Sequence, residues 1–121
     1  MNKVTLYYNP RCSKCREALC LLEEKGIKPE IIEYLKTPPS EKELKEILHR
    51  LGLKPLELIR TKEPLYAEKY KGHDYSDAEW IRIMCKNPVL IERPIAIEGN
   101  KAVVGRPAEK ILTLLQNKFN Q

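Results

Sequence analysis

Cys12 and Cys15 stand one helical turn apart in the segment Asn9-Pro10-Arg11-Cys12-Ser13-Lys14-Cys15-Arg16. Here an apolar run gives way to a helical pattern. Val4-Thr5-Leu6-Tyr7-Tyr8 reads as a strand and the residues after Cys12 read as a helix. A thiol at a helix N-terminus faces unpaired backbone N–H groups and the positive end of the helix dipole, and both favour the thiolate. Arg11, Lys14 and Arg16 add positive charge. The thiolate is the attacking form, so this spacing predicts Cys12 as a nucleophile.

A C-x-x-C pair can also hold zinc, but a structural site needs four ligands, usually as two close pairs. Cys20 and Cys85 are isolated, and neither His49 nor His73 has a partner at a useful spacing. No metal site is expected. Met1-Asn2-Lys3 leads straight into the first strand without the pattern of an export leader. No apolar stretch approaches the length of a membrane span. A cytoplasmic location with reduced thiols is expected, where a cysteine pair is more often catalytic or redox-sensing than a structural disulfide.

The elements that must position these thiols follow from the rest of the chain. Its 121 residues suit a single domain, 1–121, with one core. The net charge of +5 is modest, and the lysines are interleaved with glutamates, as on a solvated face. There is no nucleic-acid motif, internal repeat or low-complexity tract. A helix over about Ser13 to Lys25 puts Cys15, Ala18, Leu19 and Leu22 on one face and stops at Gly26. Cys15 therefore faces the core. Cys20 lies roughly 140° around the helix from Cys15, at about 100° per residue, so the two do not pair.

Glu30 to Tyr34 reads as a second strand, ended by Thr37-Pro38-Pro39. Ser40 with Glu43 forms a capping box, and Leu44, Ile47, Leu48 and Leu51 make a stripe that closes at Gly52. His49 falls off that stripe. A helical turn near Leu56 to Ile59 leads to Arg60 and the loop Thr61-Lys62-Glu63-Pro64. Ser76 with Glu79 starts another helix through Trp80, Ile81 and Met84, which stops before Pro88. Cys85, near its end, has no local partner. Ile95 to Ile97 and Ala102 to Val104 flank Gly99-Asn100, a hairpin signal. Pro107 suits a first helical turn, and Ile111, Leu112 and Leu115 form the core face of the last helix. A βαβ unit, a helical insertion over about 38–90 and a ββα unit spell an α/β, thioredoxin-like domain with a mixed four-stranded sheet.

Arg60, Arg93 and Arg106 each stand at the end of an element beside a proline or turn. In a thioredoxin-like domain, a proline just before a strand is commonly a cis-proline facing the catalytic cysteine, which marks Pro94 and would hold Arg93 beside Cys12. Three guanidinium forks around a thiolate would receive a tetrahedral oxyanion, because Arg matches such oxygens bidentately. They would also lower the cysteine pKa.

N-P-R-C-S-K-C-R-E-A-L, Y-L-K-T-P-P-S, L-I-R-T-K-E-P, N-P-V-L-I-E-R-P-I-A-I and V-G-R-P-A-E together resemble the glutaredoxin-linked arsenate reductase (ArsC) family, of the ArsC/Spx superfamily, from Lys3 to about Leu115. The resemblance implies that Cys12 attacks arsenate while Arg60, Arg93 and Arg106 hold the oxyanion. It implies no bound cofactor, glutathione as a co-substrate that adds to arsenic, and glutaredoxin or thioredoxin as reducing partner. The phosphatase-like arsenate reductases use a C-x5-R loop, whereas the residue six after Cys12 is Ala18.

Two positions depart from the family. Cys15 stands where relatives commonly have Ser, and Tyr8 where one subgroup has a His that helps ionise the nucleophile. The first suggests Cys15 as a resolving thiol that forms a Cys12–Cys15 disulfide after arsenic transfer. Two other readings share these features. One is an Spx-like redox-sensing transcriptional regulator that binds RNA polymerase, with C-x-x-C at the same place but usually without an arginine matching Arg106. The other is a general thiol oxidoreductase that needs none of the three arginines.

Overall fold

β1 (Val4–Tyr7) is the strand around which the first part of the fold is built, and Val4, Leu6 and Tyr7 are all buried. It pairs in parallel with β2 (Glu30–Ile32) and antiparallel with β3 (Ile95–Glu98), which pairs antiparallel with β4 (Lys101–Val104). The sheet order β2-β1-β3-β4 is mixed, as in thioredoxin-like α/β folds. Parallel neighbours need a crossover, and α1 (Ser13–Glu24) supplies it. The computed structural model describes residues 3–119. It divides into two units, one formed by the chain up to Thr37 and from Arg93 onward, the other by Pro38–Glu92.

In the first unit α1 buries Cys15, Ala18 and Leu22, a spacing that keeps one face toward the sheet. Ala18 and Leu22 join Val4, Leu6, Ala96 and Ile111 in the core. Gly26, at φ 75°, takes the left-handed conformation just past the helix, and the next N–H, of Ile27, bonds back to the Leu22 carbonyl at 2.9 Å.

β2 is shorter than its sequence suggests. It ends at Ile32 because β1 ends at Tyr7, its register partner; one more bond, Tyr8 N–H to the Ile32 carbonyl at 2.9 Å, closes the ladder. The chain then turns on Glu33, whose carbonyl accepts the N–H groups of Lys36 and Thr37. This turn, not a strand, buries Tyr34. The hairpin between β3 and β4 closes through Gly99 and Asn100, with positive φ at Gly99 alone, the pattern of a type II′ turn.

After β4, Pro107 does not open an α-helix as expected. It precedes a 3-10 turn, Ala108–Lys110, which runs into α5 (Ile111–Phe119). Leu114 is buried beside Ile111 and Leu115, and Leu112 is only half-buried. The 3-10 turn rotates the helix face relative to a helix started at Pro107, and so changes which leucine points inward.

The second unit is helical. α2 (Glu41–Leu51) begins at Ser40, with both reciprocal bonds of a capping box present (2.9 and 3.1 Å), and ends at Gly52 in the left-handed conformation. α3 (Pro55–Leu58) is a single turn. α4 (Asp77–Lys86) starts at Ser76 with a second capping box, and α2 and α3 both pack on it. Between α3 and α4 lies a π-helical turn, Tyr66–Tyr70, which sequence pattern does not reveal. Trp80 gathers Tyr66, Tyr70 and Tyr75 around it, with ring centroids 5.0–6.4 Å away. These aromatic contacts hold a segment with no regular apolar period.

Gly105 ties the hairpin to the start of β3. Its N–H bonds to the Pro94 carbonyl at 2.8 Å, and a Cβ there would meet Ile111 Cδ1 at 3.0 Å and Pro94 Cγ at 3.2 Å. Gly105→Ala is therefore expected to lower unfolding free energy by about 1–3 kcal/mol. Ile111→Val removes the nearest atom, so urea denaturation of the double variant should show a smaller loss than the sum of the two single ones. Additive losses would place the strain elsewhere.

Candidate functional site

Cys12 is the N-cap residue of α1, in extended conformation, and the first helical bond runs from Arg16 N–H to its carbonyl at 3.1 Å. The loop before it is held by short bonds. Cys12 N–H donates to the Asn9 carbonyl at 2.9 Å, Arg11 N–H to Asn9 Oδ1 at 3.1 Å, and Arg16 Nη1 to the Pro10 carbonyl at 2.8 Å. Arg16 thus braces the turn through its side chain.

The Cys12 side chain is 7% exposed. Burial alone would push its thiol up, but the backbone N–H of Cys15, a hydrogen bond from Arg93 and one from the Cys15 thiol outweigh it and bring the pKa down to about 7. Cys15, at 0% exposure, goes the other way. Burial pushes its thiol up to about 12; the Asn9 N–H opposes this, and the hydrogen bond and negative charge of Cys12 add to it. One sulfur of the pair is ionised near neutral pH and the other keeps its proton.

Two of the three arginines reach this pair within the first unit. Arg93 hydrogen-bonds to Cys12. Arg106 donates from Nε to the Arg93 carbonyl at 2.7 Å and sets Nη2 3.9 Å from Cys12 Sγ. The first contact orients the guanidinium and the second presents it to the sulfur. The Arg93–Pro94 and Arg106–Pro107 bonds are both cis, and Pro94 is buried. Arg60 belongs to the second unit. Its N–H bonds to the Leu90 carbonyl at 2.8 Å beside the Ile59–Ile91 bridge, and its guanidinium pairs with Glu63 at 3.0 Å and Glu92 at 3.6 Å.

Cys20 is exposed. Cys85 is half-buried, and its thiol is pushed up to about 11, by burial and then by Glu41 and Glu43. His49 is exposed. Tyr8 has a raised pKa, chiefly from burial and from Cys15, so at neutral pH its phenol carries a proton. Sequence reasoning missed Asn9 and Tyr34. Asn9 acts through its backbone and through Oδ1, which accepts the Arg11 N–H, and neither role leaves a pattern beyond its place before a proline. Tyr34 lies beyond the strand end and contributes to the electrostatic environment of Arg93.

The family model described as ArsC family matches residues 7–114 of this chain. An arsenate reductase of Neisseria meningitidis serogroup A is 44% identical over 117 residues, covering 95% of this chain and 100% of the relative. One of Haemophilus influenzae is 45% identical over 114 residues, covering 93% and 98%. The solved structure of an arsenate reductase from Vibrio cholerae superposes with a TM-score of 0.91 at 45% identity, covering 94% of this chain and 98% of that one.

The thiolate is the form that alkylates, so the rate of Cys12 modification by iodoacetamide should rise with pH through about 7 and level off above it. In Arg93→Ala the midpoint should move upward, toward an ordinary thiol, because a donor and a positive charge are lost. Mass spectrometry of the Cys12 peptide reads both. An unmoved midpoint would remove Arg93 from the groups that set the ionisation.

Proposed function

We propose, from the premise that this chain belongs to the ArsC family, that it is a thiol-dependent arsenate reductase acting in the cytosol. The observation that carries this reading is the Cys12 sulfur, ionised near neutral pH and faced by Arg93 and Arg106. A tetrahedral oxyanion presents to such a site the charge and the fork geometry that guanidinium groups match. The same groups that lower the thiol pKa would neutralise charge developing on the oxyanion.

In the first step Cys12 Sγ attacks arsenic, an As–O bond breaks and water leaves, giving Cys12–S–AsO(OH)2. In the second, Cys15 Sγ bonds to Cys12 Sγ and the S–As bond breaks with its electron pair staying on arsenic. As(V) becomes As(III), the Cys15 proton passes to an arsenic oxygen, and As(OH)3 leaves behind a Cys12–Cys15 disulfide. The order of the two thiols follows from their ionisation. The Cys12 thiolate is one of the groups holding Cys15 protonated; once Cys12 is bonded to arsenic that negative charge is gone, and Cys15 ionises more readily. Two thiols, from glutathione with glutaredoxin or from thioredoxin, then reduce the disulfide. On the motif Leu-Ile-Arg-Thr-Lys-Glu-Pro alone, we also propose Arg60, whose guanidinium pairs with Glu63 and Glu92, as a residue that binds the oxyanion.

The test is arsenate-dependent NADPH oxidation, coupled once to glutathione, glutaredoxin and glutathione reductase, and once to thioredoxin and its reductase. Cys12→Ser should lower turnover by roughly 10³-fold or more. Arg106→Ala should lower kcat/KM for arsenate on the order of 100-fold, and Arg60→Ala should raise the arsenate KM. Cys15→Ser should make turnover more dependent on added glutathione, and unchanged dependence would remove Cys15 from the mechanism. No turnover with either system would move the reading to a redox-sensing regulator, checked by binding to the carboxy-terminal domain of the RNA polymerase α polypeptide. Activity on a glutathionylated peptide that survives Arg93→Ala would mark a general thiol oxidoreductase.

A further inference from the structure

The loop that delivers Cys12 also walls a groove. Tyr8, Asn9 and Arg11 line one side, and Glu33, Leu35 and Lys36, from the turn after β2, line the other. Its volume, about 540 Å3, lies in the range of small-molecule sites. Asn9 accepts the Cys12 N–H, and Arg11 is the neighbour of Cys12 in the chain, so an occupant would sit one residue from the nucleophile.

The charges on the rim are specific. Arg11 forms no ion pair among the described residues, and it is exposed. Lys36 and Glu33 approach each other at 3.6 Å, but their side chains are 78% and 42% exposed, so this pair is weak and each partner is open to a ligand. The groove thus offers two cations and one anion around Leu35, a large apolar side chain left 41% exposed. The complement is a small molecule with two carboxylates, one ammonium and an aliphatic middle. Beside a cysteine that must be regenerated, that molecule has reason to carry a thiol.

We propose that this groove binds the low-molecular-weight reductant of Cys12, a peptide thiol bearing two carboxylates and one ammonium, the class that includes glutathione. This rests on the thiol-reductase reading above and adds the place where the reductant docks. Arg11 and Lys36 take the carboxylates, Glu33 takes the ammonium and Leu35 packs on the aliphatic part. Both sulfurs are buried, but Cys12 keeps 7% exposure and Cys15 none, so the incoming sulfur attacks Cys12. It bonds to Cys12 Sγ, the Cys12–Cys15 bond breaks, and Cys15 leaves with the electron pair and takes up a proton. A second thiol of the same class then attacks the peptide sulfur, which frees Cys12 and yields the peptide disulfide.

The test uses the reverse exchange, which needs neither arsenate nor Cys15. The Cys12 thiolate attacks oxidised glutathione, forms Cys12–S–S–glutathione and releases glutathione thiolate. The rate is followed by mass spectrometry for the full chain and for Lys36→Glu, Arg11→Glu and the double variant. Bis(2-hydroxyethyl) disulfide, which is uncharged, serves as comparator. Each single charge reversal should slow the reaction with oxidised glutathione roughly three- to tenfold more than the reaction with the uncharged disulfide, and the double variant further, the comparator absorbing any change in Cys12 ionisation. Glu33→Gln should also slow oxidised glutathione selectively. Equal changes with both disulfides, or no change with oxidised glutathione, would overturn the proposal. A selective loss in a protein that lacks arsenate turnover would leave the groove assigned and sink only the arsenate reading.

Discussion

A sulfur that is buried and yet charged is the constraint around which this unit is organised. Burial penalises the thiolate, so the surroundings must return more than burial takes. They do so with groups of three kinds: a backbone N–H at the start of α1, the guanidinium of Arg93 and the thiol of Cys15. Each needs a different part of the chain to be rigid. The N–H needs the helix, Arg93 needs the segment entering β3, and the Cys15 thiol needs the buried face of α1. The short bonds from Asn9 and Arg16 keep the loop from relaxing away from this arrangement.

The two cysteines show how one environment separates two identical groups. They share a turn of helix, yet the one at the N-cap meets donors and the one a turn later meets the core. Ionisation is thereby assigned before any substrate arrives. The negative charge of Cys12 itself helps keep Cys15 protonated. In the proposed reaction, arsenylation of Cys12 removes that charge, one of the groups that hold Cys15 protonated, while burial, the larger one, stays.

Arg106 extends the same logic to the hairpin. Its Nε is committed to the Arg93 carbonyl, which fixes the plane of the guanidinium and leaves Nη2 for the sulfur. Gly105, just before it, lies so close to Pro94 and Ile111 that a methyl group would not fit without a shift. The end of β4 and the start of β3 are therefore packed as one piece, and the core of the unit transmits its rigidity to the site. The groove beside Asn9 and Arg11 draws on the same loop, which joins the proposed docking of a reductant to the geometry of the nucleophile.

Local rules were enough to read β1, the N-terminus of α1 at Cys12, the inward face with Cys15, Ala18 and Leu22, both capping boxes, the closure at Gly52 and the hairpin at Gly99-Asn100. Each depends on residues within a few positions of one another, where backbone sterics and hydrogen bonding act directly. The sequence by itself also marked Arg93 and Arg106 as arginines beside prolines. It did not hold their approach to a sulfur: Cys12 and Arg106 are 94 positions apart, and only sheet pairing brings them together. The end of β2 was decided by the length of its neighbour β1, the inward leucine of α5 by a 3-10 turn, and the π-helical turn by rings packed around Trp80. The pairing of Arg60 with Glu92 needed the fold of the second unit. The lowered pKa of Cys12 is local in part, through the backbone N–H of Cys15 at the start of α1, but desolvation of the two thiols and the position of Arg93 belong to tertiary structure and have no signature in the order of residues.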